Sequence, residues 1–427
     1  MKILITGGAG FVGRHLASAL IQRGDAVRVL DVLVPEVHAN GARNGGQRPA
    51  ELHPDVEFIE ADVRDADSVR QALKGVDAVF HQAAEVGVGR SMYEIPRFVA
   101  TNSLGTGVLL QEIVERRRQV RKLVVASSMT LYGEGCGCCP EHGLVEPHLR
   151  SLAQLEQGEW GSRCPHCQRE VAAAPTPETK LPAPTSVYAV SKRGQEELCL
   201  AVGRAYGIPT VALRYFNIYG PGQALGNPYT GIVSIFCNRL LNDQPVQIYE
   251  DGCQSRDFVH VSDVVQANLL ALNADEANNQ AFNVSSGELW TVLEVAEMVR
   301  DNLGGKGQVV VTEQYRAGDI RHCHADLTCI RQRLGYRPRI GLRRGLPEVI
   351  RWARQQQTWS SGSTYQSAEA AGFHRASREL AAYGLLRKPT PQPRSVGALT
   401  VEDWEGEDEY GQSTASPAPA SPPRGCP

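Results

Sequence analysis

The sequence predicts an α/β protein: a doubly wound parallel sheet with helices on both faces, a smaller C-terminal α/β domain, and a Cys-rich insertion. Three observations carry this. Short runs rich in Val, Ile and Leu alternate with amphipathic stretches through the first half, as strands joined by crossover helices do. A glycine cluster stands between the first such run and the first amphipathic stretch. From Gly133 to Pro184 the alternation stops, and Gly, Pro, Cys and charge dominate.

In chain order, KILIT (2–6), AVRVLD (26–31), VEFIE (56–60), DAVFHQA (77–83) and KLVVASS (122–128) read as strands. Phe11–Arg23 and Phe98–Arg117 read as helices between them. After the insertion, Tyr188–Tyr206 reads as a helix and TVALRYFN (210–217) as a strand. The first domain is therefore expected at 1–132 and 185–229, split by an insertion at 133–184. Residues 230–355 mix short strands and helices, as a second, substrate-binding domain would. Ser367–Leu386 reads as a helix in a short extension, 356–387. The Pro-, Ser-, Gly- and acid-rich stretch 388–427 reads as a disordered tail.

With 427 residues, 42% of them hydrophobic, the chain can build one large body or two ordinary domains. A net charge of −3 gives no basic face, so nucleic acid is not expected as a partner. MKILITGGAG runs straight into a strand and a glycine loop, not a signal peptide. No run of 18 apolar residues occurs, so no membrane span is expected, and the location is expected to be cytoplasmic. In that setting eleven cysteines point to thiols or metal, not a disulfide framework.

TGGAGFVG (6–13) joins the first strand to the first helix. Gly7 permits the tight turn, Gly10 lets the backbone approach a pyrophosphate, and Gly13 lets helix pack on sheet. Phe11 and Val12 open the helix, whose unpaired N–H groups face the phosphates. A glycine cluster alone is commonly a surface turn; the strand–loop–helix setting argues for a dinucleotide site. Asp31 ends the second strand, 18 residues past Gly13. A carboxylate there accepts hydrogen bonds from an adenosine ribose and repels a 2′-phosphate, so NAD is expected over NADP.

YAVSK (188–192) opens a helix, which puts Tyr188 and Lys192 one turn apart on the same face. Lys192 and a positive nicotinamide ring would both favour the Tyr188 phenolate. Bringing a tyrosine from a pKa near 10 to about 7 takes about 4 kcal/mol. Such a pair is commonly a solvated helix face; the glycine loop and Ser128, at the end of the fifth strand, give it weight.

These residues carry a resemblance. TGGAGFVG, Asp31, Asp62-Val63, HQAA (81–84), Asn102 before LGT, SSMTLYG, YAVSK, RYFNIYGPG (214–222), RDFVHVSDV (256–264) and RAGDIRH (316–322) stand in the order found in the extended short-chain dehydrogenase/reductase superfamily. The match covers roughly residues 1–355 outside the Cys-rich span. The sequence resembles the superfamily's Rossmann-type nucleotide-sugar epimerases, dehydratases and decarboxylases, which hold NAD tightly. The resemblance implies that Asp62 and Val63 hold the adenine. It implies that Gln82, Ala83, Ala84, Asn102, Ser127 and Tyr215 line the cofactor cleft with Tyr188 and Lys192. For the substrate it implies Asn217, Arg256 and Arg316 on the diphosphate, a fitting role for guanidinium, with Val88, Ser128, Tyr249 and Asp319 beside them.

Members begin alike: the tyrosine takes a sugar hydroxyl proton, the serine hydrogen-bonds the same oxygen, and NAD takes the hydride. The 4,6-dehydratases resemble TDEVYG where this chain has Ser128-Met129-Thr130-Leu131-Tyr132-Gly133. Met129 donates no proton, and Thr130 is too weak an acid to replace a glutamate, so 4-epimerisation is expected. SSMTLYGEG, RAYGIPTVALRYFNIYGPGQ, NPYTGI and YRAGDIRHC resemble a dTDP-L-rhamnose 4-epimerase group most, and the likeness reaches ASRELAAYGL (376–385). A UDP-hexose 4-epimerase is the nearest alternative. A catalytically idle nucleotide-sensing scaffold is disfavoured, because Ser128, Tyr188 and Lys192 all stand. By resemblance the protein is a homodimer through Phe98–Arg117 and Tyr188–Tyr206.

Within the insertion, Cys139-x-x-His142 and Cys164-x-x-Cys167 have the spacing of two zinc knuckles. Four protein ligands leave no open position, so a zinc there is expected to be structural, and to fold a segment without its own core. Cys136 and Cys138 are alternates that could replace His142. The insertion is expected to form a rim or lid over the substrate cleft. Cys199, Cys237, Cys253, Cys323 and Cys329 read as ordinary buried or half-buried residues, and Cys426 as tail.

Overall fold

The computed structural model describes residues 1–34, 37–38, 49–229, 231–359 and 363–390. Most of the expected tail lies outside the described residues. The chain opens with β1 (Lys2–Thr6), α1 (Phe11–Gln22), β2 (Ala26–Asp31), β3 (Glu57–Glu60), α2 (Ala66–Ala72) and β4 (Ala78–His81). It continues with α3 (Val88–Ser91), α4 (Ile95–Phe98), α5 (Gly105–Glu115) and β5 (Lys122–Ser128). The insertion carries β6 (Cys136–Cys139), β7 (Gly143–Val145), α6 (Leu152–Glu156) and β8 (Ala172–Ala174). Then come α7 (Val187–Tyr206), β9 (Thr210–Tyr215), β10 (Asn217–Tyr219), α8 (Ile232–Leu241), β11 (Val246–Ile248), β12 (Ser255–His260) and α9 (Val261–Asn273). The last part holds β13 (Gln280–Val284), β14 (Leu289–Thr291), α10 (Val292–Asn302), β15 (Val309–Val311), β16 (Tyr315–Arg316), β17 (His322–Cys323), α11 (Thr328–Leu334), α12 (Leu342–Trp359), α13 (Ser363–Ala382) and β18 (Leu386–Arg387).

Seven strands form one parallel sheet in the order β13-β9-β5-β4-β1-β2-β3. Both faces are covered, which is why its strands are near-continuous apolar runs. Ile3 and Ile5 pack with Leu16 and Leu20 of α1 on one face. Leu4 and Val79 pack with Leu109 and Ile113 of α5 on the other. The fold is the expected doubly wound α/β sheet. β13 takes the far edge of this sheet, so residues 280–284 belong to it and not to the second unit. That unit packs α8, α10 and α12 against β11 and β12, around Phe236, Val246, Val295 and Leu346.

The expected helix 98–117 is interrupted. Val99–Leu104 winds as a π-turn between α4 and α5. The turn carries Asn102, which is fully buried. Its amide accepts from Glu85 N at 2.7 Å and donates to Glu85 O at 3.1 Å and Ser191 Oγ at 2.9 Å. These side-chain bonds compete with regular winding, and no periodicity in the sequence announces them.

The insertion is more ordered than its composition suggests. β6 pairs antiparallel with both β7 and β8. Its own buried apolar set is Cys139, Val145, Cys164 and Val171. Past β8 the chain docks on the main body. Thr176 N donates to His324 O at 2.8 Å, and Asn283 Nδ2 donates to Thr176 O at 2.9 Å. Lys180 Nζ reaches Tyr132 O at 3.2 Å. The extension forms α13, which starts before the expected Ser367, then turns at Gly384 so that β18 pairs antiparallel with β16. No helix among the described residues is long and apolar enough to cross a membrane.

Candidate active site

From β1 the sheet grows outward in both directions, so a crevice opens beyond the C-terminal ends of β1 and β4. The β1–α1 turn lines it. Gly7 has φ +67°, and a Cβ there would stand 2.7 Å from Ala83 Cα; one on Gly13 would stand 2.5 Å from Gly8 Cα. Larger residues would push the turn apart. Gly10 caps α1 without a side chain, leaving the first-turn N–H groups around Phe11 and Val12 to an anion. Asp31 is buried at the end of β2 and accepts from Ala9 N and Leu33 N, both at 3.0 Å. The turn, the helix end and the buried carboxylate fit NAD.

Of the other expected cofactor residues, Gln82 and Ala83 abut this turn, and several have side chains already engaged. Gln82 Nε2 donates to Tyr215 Oη at 3.1 Å, and Tyr215 donates to Asn268 Oδ1 at 3.0 Å. Burial pushes the Tyr215 hydroxyl up to about 12. Ala83 leads with Ala84 out of the strand, its carbonyl accepting from Gln195 Nε2 at 3.2 Å. The Asp62 carboxylate is paired with Arg64, and Val63 is buried. The Ser127 hydroxyl donates to Glu196 at 2.5 Å, and Glu196 pairs with Arg214 at 2.7 Å.

Packing of α7 against β5 brings Ser128 and Tyr188 together, and both are buried. Burial pushes the Tyr188 hydroxyl up to about 12, and a hydrogen bond with Ser128 pulls it back. The Tyr188 backbone N–H donates to Ser91 Oγ at 3.0 Å, which fixes the start of α7 on α3. Lys192 is buried on the same helix face, and burial pulls its ammonium down to about 8. Its Nζ donates to Ala126 O at 2.5 Å and to Gln195 Oε1. The cation expected to favour the Tyr188 phenolate is thus held by a carbonyl and an amide.

On the substrate side, Asn217 Oδ1 is buried with no hydrogen-bond partner among the described residues. Arg256 donates to Ser255 O at 2.8 Å, Arg321 O at 3.0 Å and Ile320 O at 2.7 Å. Arg316 pairs with Asp319 at 2.9 Å and stands 5.2 Å over the Tyr249 ring. Burial alone would raise the Asp319 carboxyl, but Arg316 and Arg256 outweigh it and hold it below the usual range. Val88 lies with Arg316 and Asp319 in one cleft, beside Thr185 and Ser186 at the start of α7.

The insertion contacts a residue of this cleft. Arg150, buried, donates to Glu250 Oε2 at 2.8 Å, Trp160 O at 3.0 Å and Asp319 O at 3.0 Å. Glu134 accepts from Arg321 N at 2.9 Å, and burial pushes its carboxyl up. The segment is therefore tied to the cleft through the Asp319 backbone.

Cys139, His142, Cys164 and Cys167 bring one ligand atom each within 4.8 Å of the others. Cys139 Sγ lies 3.5 Å from His142 Nδ1 and 3.7 Å from Cys167 Sγ, and Cys164 Sγ lies 3.7 Å from His142 Nδ1. A tetrahedron with metal–sulfur bonds of about 2.3 Å has sulfur–sulfur edges of about 3.8 Å. The four groups fit one tetrahedral ion. Cys136 stands outside the cluster, its N–H donating to Thr176 Oγ1 at 3.1 Å. Of the remaining cysteines, Cys199, Cys237 and Cys323 are buried and Cys329 is half-buried; Cys253 is exposed, contrary to expectation.

The profile of the NAD dependent epimerase/dehydratase family matches residues 3–151 and 163–285. The chain belongs to this family. Its match breaks inside the metal-ligand span, between 151 and 163. The chain is 35% identical over 357 residues to the dTDP-L-rhamnose 4-epimerase of Burkholderia thailandensis, covering 83% of this chain and 95% of that protein. It is 32% identical over 355 residues to a putative UDP-glucose 4-epimerase of Methanocaldococcus jannaschii, covering 82% of this chain and 98% of that protein. Among solved structures, the Thermotoga maritima UDP-glucose 4-epimerase with UDP-glucose superposes with a TM-score of 0.67 at 30% identity, covering 83% of this chain and 99% of that one. The Bacillus cereus UDP-glucuronic acid 4-epimerase with UDP-glucuronic acid and NAD gives 0.68 at 26% identity, covering 83% and 100%.

For this family member, sequence reasoning missed several residues at the site. Gln195 follows Lys192 by three positions, so helical spacing alone places it on the same face. Asn268 and Arg150 come from distant segments, and nothing local marks them. Met92, Leu380 and Leu385 also line the cleft; in the sequence they are ordinary apolar residues.

Proposed function

We propose that the protein is an NAD-dependent nucleotide-sugar 4-epimerase acting on dTDP-L-rhamnose. The observation that carries this is the Ser128–Tyr188 pair, with Met129 and Thr130 where a dehydratase has its two acids. NAD held by the Gly7–Gly13 turn and Asp31 would supply reversible hydride exchange at C4 of the sugar.

Tyr188 takes and returns the C4 hydroxyl proton, and Ser128 hydrogen-bonds the same oxygen. In a buried site that pushes tyrosine up to about 12, the base depends on nearby positive charge. Lys192 is the residue that can supply it, by turning from Ala126 O and Gln195 toward the phenolate. Arg256, Arg316 and Asn217, through its Nδ2 donor, hold the diphosphate, with Tyr249, Asp319 and Val88 lining its approach. Gly7 through Gly13, Asp31, Asp62, Val63, Gln82 and Asn102 shape the cofactor cleft.

Similarity to the Burkholderia thailandensis enzyme supports the rhamnose reading. A second reading, a UDP-hexose 4-epimerase, is supported by the Thermotoga maritima structure with UDP-glucose. Incubation with dTDP-L-rhamnose, UDP-glucose and UDP-N-acetylglucosamine, followed by NMR of the products, separates the two. No turnover of any of the three despite bound NAD would favour a nucleotide-sensing scaffold. We further propose that the tetrahedral cluster holds zinc as a structural ion. Exposed Val99, Leu104, Val190 and Leu198 on the segments around α5 and α7 support a homodimer, which light scattering tests.

A further inference from the structure

We propose that the C-terminal segment, through Leu380 and Leu385, forms with Met92 an apolar wall of the sugar cleft that selects a methyl over a hydroxymethyl or carboxylate at sugar C5. The proposal rests on the nucleotide-sugar reading above and names the feature of the sugar that is read.

The cleft has two kinds of lining. Arg316, Asp319, Thr185 and Ser186 are its polar residues. Met92, Leu380 and Leu385 are large apolar ones. The cleft lies close to the chemistry: Ser186 caps α7 two residues before Tyr188, and Ser91, next to Met92, accepts the Tyr188 N–H at 3.0 Å. A group beside Tyr188 is the sugar, since the proton it moves belongs to the sugar. With the diphosphate at Arg316, the C5 substituent is the part of the hexose that an apolar wall can serve.

The segment is held as a wall must be. Glu379 accepts from Tyr93 Oη at 3.0 Å and Tyr229 Oη at 3.2 Å. The Tyr93 and Tyr383 rings stack at 5.1 Å, 4° from parallel. Ala317 N donates to Leu385 O at 2.9 Å as β18 pairs with β16. Thr390 N donates to Glu156 O at 3.0 Å, which ties the segment to the insertion. Leu380 packs so closely that its Cδ2 lies 3.0 Å from where a Cβ on residue 89 would stand.

A hydroxyl or carboxylate set against these side chains loses water and gains no partner. Pockets of this kind reject an added hydroxyl by about 100-fold at most. The test uses sugar pairs that differ only at C6: dTDP-L-rhamnose with dTDP-L-mannose, and UDP-6-deoxyglucose with UDP-glucose. The kcat/KM, and the Kd by calorimetry, are measured for the wild type and for Leu380→Gln and Leu385→Asn. The wild type should prefer the 6-deoxy member of whichever pair it accepts by roughly 10- to 100-fold. The variants should bring that ratio to within about 3-fold, whereas a purely structural defect would lower both members equally. Equal values in the wild type, or a ratio unmoved in both variants, overturns the proposal. If only the UDP pair is accepted, the rhamnose reading fails and the UDP ratio still decides the wall. If no nucleotide sugar binds, both fail.

Discussion

Ser128 Oγ accepts two hydrogen bonds from Thr130, one from its hydroxyl at 2.9 Å and one from its backbone N–H at 3.2 Å. With both acceptor sites of the serine filled, its own proton is left for Tyr188 in the free site and for the sugar oxygen once substrate is bound. Thr130→Val keeps the shape and removes one of the two. The expected result is a 5- to 10-fold fall in kcat, about 1 kcal/mol, with bound NAD unchanged. The acid limb of the pH–rate profile should move to higher pH, because the phenolate loses support. A variant with the wild-type profile would show that Thr130 does not orient the serine.

Tyr188→Phe should fold and retain NAD yet lose epimerisation by roughly 100- to 10,000-fold. Product NMR and cofactor release on denaturation give the two readouts. Near-normal turnover would assign the base elsewhere.

Tyr188 and Lys192 set opposite limbs of the pH profile. The base form of Tyr188 gains as pH rises, so kcat/KM should climb from acid pH. Burial pulls the Lys192 ammonium down to about 8, so above that pH its charge, and its help to the phenolate, are lost. The wild type should therefore show a bell with an alkaline limb near pH 8. Lys192→Arg, which stays charged, should be slower but lack that limb. An alkaline limb that persists in the variant assigns it to another group.

The tetrahedral cluster should carry about one zinc per chain, read by elemental analysis of protein purified without chelators. Cys164→Ser should lose the metal and keep NAD. Because Thr176 and Lys180 dock on the main body, protease should cut within 139–171 and spare 175–184. Loss of NAD with the metal would make the site part of the main fold.

Arg150→Met should cost about 3 kcal/mol of stability, since it leaves buried Glu134 without its ion pair and Glu250 with Arg321 alone. Urea denaturation measures this. A variant as stable as the wild type would mean that the ion network adds nothing net.

How far the sequence could be read depended on how local each cause was. Strands such as KILIT and KLVVASS are apolar because both sheet faces are covered, and Gly7 and Gly13 answer to contacts within one turn. Those features were legible. Asn102 bends its own helix through bonds to Glu85 and Ser191, which no periodicity reports. CGCC and AAA have little strand propensity and are strands because β6 sits between β7 and β8, beside the Cys/His cluster. The pairing of Cys139, His142, Cys164 and Cys167 was legible from their spacing even though that sheet was not. Arg150, Leu380 and Leu385 matter through partners 100 or more positions away, or through a cleft that exists only in three dimensions.

The order of synthesis follows from where these parts lie. β13 completes the parallel sheet at Val284, but the cleft wall waits for Leu385 and its last anchor for Thr390. Domains fold as they leave the ribosome, N-terminal part first. A nascent chain stalled after α12 should already retain NAD and the diphosphate residues, yet bind 6-deoxy and 6-hydroxy sugars alike. The growing polypeptide would thus acquire its redox partner before it could tell one sugar from another.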